Sequence, residues 1–252
     1  MAQFENDGFA LAYDDIGQGD PVVLIHGFAS NRSENWRRLG WYGAIERKRM
    51  RLLALDIRGH GESAKPHDAQ AYKSEMLTSD VIALLDHAGV GRAHVLGYSM
   101  GARVALATAL AHPDRVDHLV IGGIGGKLFD PPREGFVLAD AMLAESPESI
   151  SEPLLRSFRQ FADEQGEDRA ALADCARGLD FRFTRESLSV LRAPTLVVAG
   201  ARDALAGSAD ELADVIPGAR AITLPGCDHF SAIPHALFKA SVFDFLDGTL
   251  DF

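Results

Sequence analysis

Residues 22–25 and 52–55 are apolar at every position, and 94–96, 116–121, 195–199 and 221–224 are further short runs dominated by apolar residues. Runs this short and this apolar fit strands buried on both faces. Helix-spaced segments separate them: Trp36, Leu39 and Ile45; Met76, Leu77, Val81, Leu84 and Leu85; then 101–111, 209–215 and 234–246. Residues 9–16 read as an edge strand. Alternation of this kind predicts an α/β fold, a mostly parallel sheet with helices on both faces. The rhythm breaks after Ile121. Residues 122–191 hold three helical patterns, around 136–144, 153–162 and 168–176, without a convincing strand, and Ser151 followed by Pro153 marks a helix start. The expectation is one core domain, 1–122 with 192–252, interrupted by a helical cap at 123–191. Internal repeats and low-complexity segments are not evident.

Composition narrows the partners. A formal charge of −11 over 252 residues disfavours nucleic acid and anionic membranes, which need a cationic footprint. The basic cluster Arg47, Lys48, Arg49 and Arg51 reads as a solvated helix end before a buried strand. Cys175 and Cys227 lack paired spacing, so neither a disulfide framework nor a metal site is expected, and a reducing compartment is. The N-terminus carries no basic region followed by an apolar one, and no apolar run approaches a membrane span of roughly 18 residues. A cytoplasmic protein acting on a small molecule, without cofactor or metal, is the expectation.

The candidate chemistry starts at Gly97-Tyr98-Ser99-Met100-Gly101, where an apolar run meets a helix-forming segment. Gly-x-Ser-x-Gly at a strand-to-helix junction is a nucleophile elbow, whose strained turn leaves no room for a Cβ at the flanking positions. A serine needs a base, and the base an acid that fixes its tautomer. In parallel sheets functional groups gather at the carboxyl ends of strands. Asp203 follows the run 195–199, and His229 follows 221–224, giving the chain order Ser, Asp, His. Asp228 is the competing acid, but it adjoins His229 and its side chain should diverge from the imidazole. Of the other histidines, most read as surface residues and His26 as a structural hydrogen-bonding residue. An oxyanion hole needs two backbone N–H groups. Met100, after the serine, and Phe28, in His26-Gly27-Phe28, are placed to supply them.

These segments, with Asp56-x-Arg58-Gly59-His60-Gly61-x-Ser63, Gly200-x-x-Asp203 and Asp228-His229, stand in the order and approximate spacing of the α/β-hydrolase family, which the chain resembles over nearly its whole length. The resemblance implies the fold, with a mostly parallel eight-stranded sheet, the Ser99–His229–Asp203 triad and a helical cap between the sixth and seventh strands. Dehalogenases and epoxide hydrolases of that family carry aspartate at the elbow. Serine there favours acyl transfer, hence hydrolysis of carboxylic esters with small to medium apolar groups. Phe129, Phe136, Phe158, Phe161, Phe181 and Phe183 of the cap could line an acyl pocket or pack onto the core. Tyr98 and Arg103 resemble the elbow of the menaquinone-pathway synthase branch. They are therefore candidate substrate-binding residues for an alternative, cleavage of a C–C bond or an enol-lactone in a carboxylate-bearing metabolite. The cap arginines Arg133, Arg156, Arg159, Arg169, Arg177, Arg182 and Arg185 would then matter. A slow ligand-binding receptor is the alternative of another class.

Overall fold

The computed structural model describes residues 2–130 and 135–250; of Gly135 and Phe136 it describes the backbone only. Eight strands form one sheet: β1 Ala2–Asn6, β2 Phe9–Ile16, β3 Pro21–Ile25, β4 Arg51–Leu55, β5 Ala93–Tyr98, β6 Val116–Gly122, β7 Thr195–Gly200 and β8 Arg220–Leu224. Their spatial order is β1-β2-β4-β3-β5-β6-β7-β8. The β1/β2 and β2/β4 pairs are antiparallel and the others parallel. Residues 9–16 are therefore an inner strand. The edge is β1, joined to β2 by Asp7-Gly8, both at positive φ (51° and 80°) as a tight hairpin turn requires.

Period-two alternation sorts the sheet's side chains into two cores. Val23, Ile25, Val95 and Val197 pack with Leu77, Val81 and Leu84 of α2 (Ser74–His87) and with Ala102, Val104 and Ala105 of α3 (Met100–Ala111). Val22, Leu24, Leu96 and Val198 pack on the other face. There they meet Trp41 and Ile45 of α1 (Trp41–Arg47), together with Phe238 and Val242 of the C-terminal helix, Ala236–Leu246. Each such buried side chain contributes about 1.5–3 kcal/mol. The expected helix over 32–47 is split into a π-helical turn, Ser33–Arg37, and α1, because Gly40 between them is left-handed at φ 79°.

Between β6 and β7 the chain runs through α4 (Gly135–Leu143), α5 (Pro153–Gln165), α6 (Arg169–Gly178) and a single turn α7 (Arg185–Leu188), with no strand among the described residues. Asp168 caps α6, its carboxylate accepting from the N–H groups of Ala170 and Ala171. This helical segment reaches the elbow, with Cys175 Sγ 3.9 Å from Met100 Sδ. The core resumes with α8 (Ala209–Ala213), capped by Ser208, and α9, the Ala236–Leu246 helix. No described helix is long and apolar enough to cross a membrane.

Candidate active site

Ser99 sits between β5 and α3 at φ 55°, ψ −113°, a conformation rare for any residue with a Cβ. Neighbouring glycines allow it. A Cβ on Gly97 would collide with the Gly101 carbonyl, and one on Gly101 with the carbonyls of Ile25 and His26. The Ser99 N–H donates to the Gly122 carbonyl at 2.8 Å, which pins the turn to β6.

The residues expected around it are brought together. Ser99 Oγ donates to His229 Nε2 at 3.0 Å, and His229 Nδ1 donates to Asp203 Oδ2 at 2.8 Å. Asp203 Oδ1 accepts from the N–H groups of Leu205 and Ala206, each at 3.0 Å, so the carboxylate is held from its far side. Both His229 and Asp203 are buried, while Ser99 is partly open. Asp228 turns away, as expected. Its Oδ1 accepts from the N–H of Phe230 and from the N–H and hydroxyl of Ser231, and these bonds hold its carboxyl below the usual range.

The loop carrying Phe28 lies against the elbow, since a Cβ on Gly27 would stand 3.4 Å from Ser99 Cβ. Among the described residues no acceptor takes the N–H of Phe28 or of Met100. Two unclaimed N–H groups beside a serine can receive a developing oxyanion. His26 is structural: Nε2 accepts from the Ile57 N–H at 3.0 Å, Nδ1 donates to the Gly27 carbonyl at 2.8 Å, and burial lowers its pKa to about 4. His60 is not a surface residue. It is fully buried, edge-on to Phe28 at 5.8 Å, and burial followed by His26 lowers its pKa to about 3.

With this geometry in view, the comparison with known proteins is decisive for the fold. The profile of the alpha/beta hydrolase fold matches residues 20–162. The chain belongs to the α/β-hydrolase family. One relative of this α/β hydrolase is the dihydrolipoyllysine-residue acetyltransferase component of the acetoin cleaving system from Pseudomonas putida. It is 34% identical over 89% of this chain, and the chain spans only 63% of that protein's length. The 2-hydroxymuconate semialdehyde hydrolase of Pseudomonas sp. (strain CF600) is 31% identical, covering 95% of this chain and 91% of its own. The enol-lactonase from Burkholderia xenovorans LB400 superposes with a TM-score of 0.74 at 27% identity, covering 98% and 100%.

Elsewhere in this α/β hydrolase the expected pocket residues divide. Tyr98 is buried and its hydroxyl donates to the His229 carbonyl at 2.5 Å, so it holds the base's loop instead of facing a substrate. Arg103 is half-buried in the first turn of α3. Burial lowers its pKa, and no acceptor meets it among the described residues. Of the phenylalanines, Phe158 on α5 approaches Phe28 (6.1 Å between centroids) and Phe230 (5.8 Å), and Phe230 approaches His229 (5.6 Å). Phe181 and Phe183 stack on each other, and Phe129 lies under Arg185. The Phe136 side chain and Arg133 lie outside the described residues. Arg156 donates to the Ile150 carbonyl, Arg159 to the Ala144 carbonyl and Arg177 to Asp174, so these cations are satisfied within the protein.

One cluster joins Asp56 and Gly61 of the quoted motif to Asn31, Arg32 and Glu167, which the sequence did not single out. Glu167 accepts from the Gly61 N–H at 3.0 Å and from Asn31 Nδ2, while Asp56 accepts from the N–H groups of Arg32 and Glu62 and pairs with the Arg32 guanidinium. These groups border a polar cavity of about 540 Å³ that none of Ser99, Asp203 and His229 lines.

Proposed function

We propose that this α/β hydrolase cleaves carboxylic esters of small to medium apolar groups through an acyl-enzyme on Ser99. His229 takes the Ser99 proton as Oγ attacks the ester carbonyl, and Asp203 stabilises the imidazolium in the correct tautomer. The Phe28 and Met100 N–H groups receive the tetrahedral oxyanion, with the α3 N-terminus adding its dipole. His229 then protonates the leaving alcohol, and water clears the acyl group by the same steps. The observation that carries the ester reading is the aromatic wall Phe28–Phe158–Phe230 beside the Ser99–His229 pair, an apolar surface suited to an acyl chain. In this reading residues 123–191 are a lid and Phe158 its apolar underside. A panel of aryl esters of graded acyl length, with fluorophosphonate labelling of Ser99, tests it. An apolar optimum with Ser99 labelled supports it; binding without turnover would instead mark a receptor.

Arg103 favours a second reading. A half-buried guanidinium that meets no acceptor among the described residues, four residues past Ser99, would complement a substrate carboxylate, as a C–C hydrolase or enol-lactonase of an acidic metabolite would require. Arg103→Met should then raise KM for a hemisuccinate ester at least tenfold and leave neutral esters unchanged. Equal effects on both substrates would leave the ester reading alone.

A further inference from the structure

At the end of the sheet away from Ser99, β5 and β6 pair Ala93 with Val116 and Val95 with Leu119. One residue, His94, therefore faces two, Asp117 and His118. An extra residue of this kind is a β-bulge, uncommon in parallel pairs, and it re-aims side chains. Consecutive residues of a regular strand point to opposite faces. Here both turn toward His94. Asp117 Oδ2 lies 3.3 Å from His94 Nδ1 and 3.1 Å from His118 Nδ1. One ligand atom from each of the three residues falls within 4.8 Å of the other two.

We propose that His94, Asp117 and His118 form a three-ligand site for a borderline divalent transition-metal cation of the zinc type. Two imidazole nitrogens and one carboxylate oxygen are a donor set for such ions, which keep a further position for water. Bonds of roughly 2.1 Å in a tetrahedron set ligand atoms about 3.4 Å apart, so the observed spacing needs only small side-chain rotations. His94 Nδ1 is buried and has no hydrogen-bond partner among the described residues, although it stands beside the carboxylate. A ring nitrogen kept from water and without a hydrogen bond among the described residues is a position that a metal would satisfy. Surrounding contacts fix the ligands. Arg92 Nη2 holds Asp117 Oδ1 at 3.1 Å, leaving Oδ2 to the imidazoles, and the His118 ring packs edge-on against Phe245 at 5.4 Å. The side chains are 11%, 35% and 26% exposed for His94, Asp117 and His118, so an ion and its water can reach them.

His94 precedes Ser99 by five residues on one strand, which at about 3.3 Å per residue separates the two by roughly 16 Å. The cation therefore stands outside the acyl chemistry and ties β5 to β6. Because it binds the folded chain, it should raise the melting temperature as its concentration rises.

The test uses the full chain after removal of adventitious metal, titrated with zinc sulfate by calorimetry and with cobalt(II) by visible absorption, together with Asp117→Asn and His118→Gln. Expected are one equivalent of zinc per chain, cobalt d–d bands of low-coordinate type, and a zinc-dependent rise in Tm. Each variant should weaken binding at least tenfold and lose the Tm response while retaining fluorophosphonate labelling of Ser99. Two partly exposed positions are used so that misfolding of one cannot mask the result. No saturable binding by the wild type would overturn the proposal. So would binding undiminished in both folded variants, which would place the ion elsewhere, for example at the exposed His67–Asp168 pair.

Discussion

Asp203→Asn isolates the tautomer argument. Aspartate here accepts three hydrogen bonds, one from His229 Nδ1 and two from the N–H groups of Leu205 and Ala206. An asparagine has a single acceptor oxygen. If that oxygen serves the loop, the amide NH2 faces His229 and Nδ1 must accept. Nε2 then carries the hydrogen and cannot take the proton of Ser99. If the oxygen faces His229, two N–H groups confront another donor, at about 1–3 kcal/mol each, or about 2–6 kcal/mol in all. The productive arrangement is disfavoured by that amount, and since 1.36 kcal/mol is tenfold, kcat should fall by about 30-fold to 10⁴-fold. The Ala206 N–H is buried and the Leu205 N–H part-buried, so the larger share of the cost falls at Ala206. Steady-state hydrolysis of a p-nitrophenyl ester measures it, with circular dichroism to confirm folding and Asp228→Asn as the comparison. Activity within tenfold of wild type would refute the reasoning, as would a larger loss from Asp228→Asn, whose carboxylate serves only its own turn.

Ser99→Ala should lower kcat by about 10⁶ with folding intact, since triad members act as a unit, and residual turnover near wild type would remove Ser99 from the mechanism. Tyr98→Phe removes the hydroxyl bond to the His229 carbonyl. Stability should fall by about 1 kcal/mol and kcat by less than tenfold at constant KM; a change confined to KM would instead show Tyr98 touching substrate. His26 and His60 are buried, with pKa values lowered to about 4 and about 3, so the unfolded chain binds more protons below pH 6.5. Stability is thus full above that pH and falls beneath it, by about 1 kcal/mol per imidazole at pH 5.5. The carboxyls of Asp56, Asp80 and Glu167, raised by burial, act in the opposite sense. Urea unfolding should show a lower midpoint at pH 5.5 than at pH 7.5, and an equal or higher one contradicts the assignment.

The parallel core was legible because strands covered on both faces, such as β3 and β4, must be apolar at nearly every position, and their short length and alternation with helix-spaced segments set them apart from buried helices. The elbow was legible because its glycines are dictated by collisions with backbone, which no side chain can evade. The edge was misread. Ala2–Asn6 is too short and polar to register alone, although Asp7-Gly8 is a hairpin signal that would have supplied it. His60 was not singled out among histidines mostly read as surface residues, because its burial beside Phe28 and His26 is a tertiary event without local pattern. Tyr98 was read as facing substrate, whereas its partner is 131 residues away. The His94–Asp117–His118 group escaped for a similar reason: its members meet only through a register shift between neighbouring strands.

Ser99 meets His229 across 130 residues of chain, and the strands that carry the base and its acid lie at the end of the sheet furthest from β1. The proposed nucleophile is thus synthesised early and activated late. A chain in which β7 and β8 have not docked holds Ser99 with neither His229 nor Asp203 beside it. The order of strands in the sheet thus keeps Ser99 apart from its proposed base until β7 and β8 have docked.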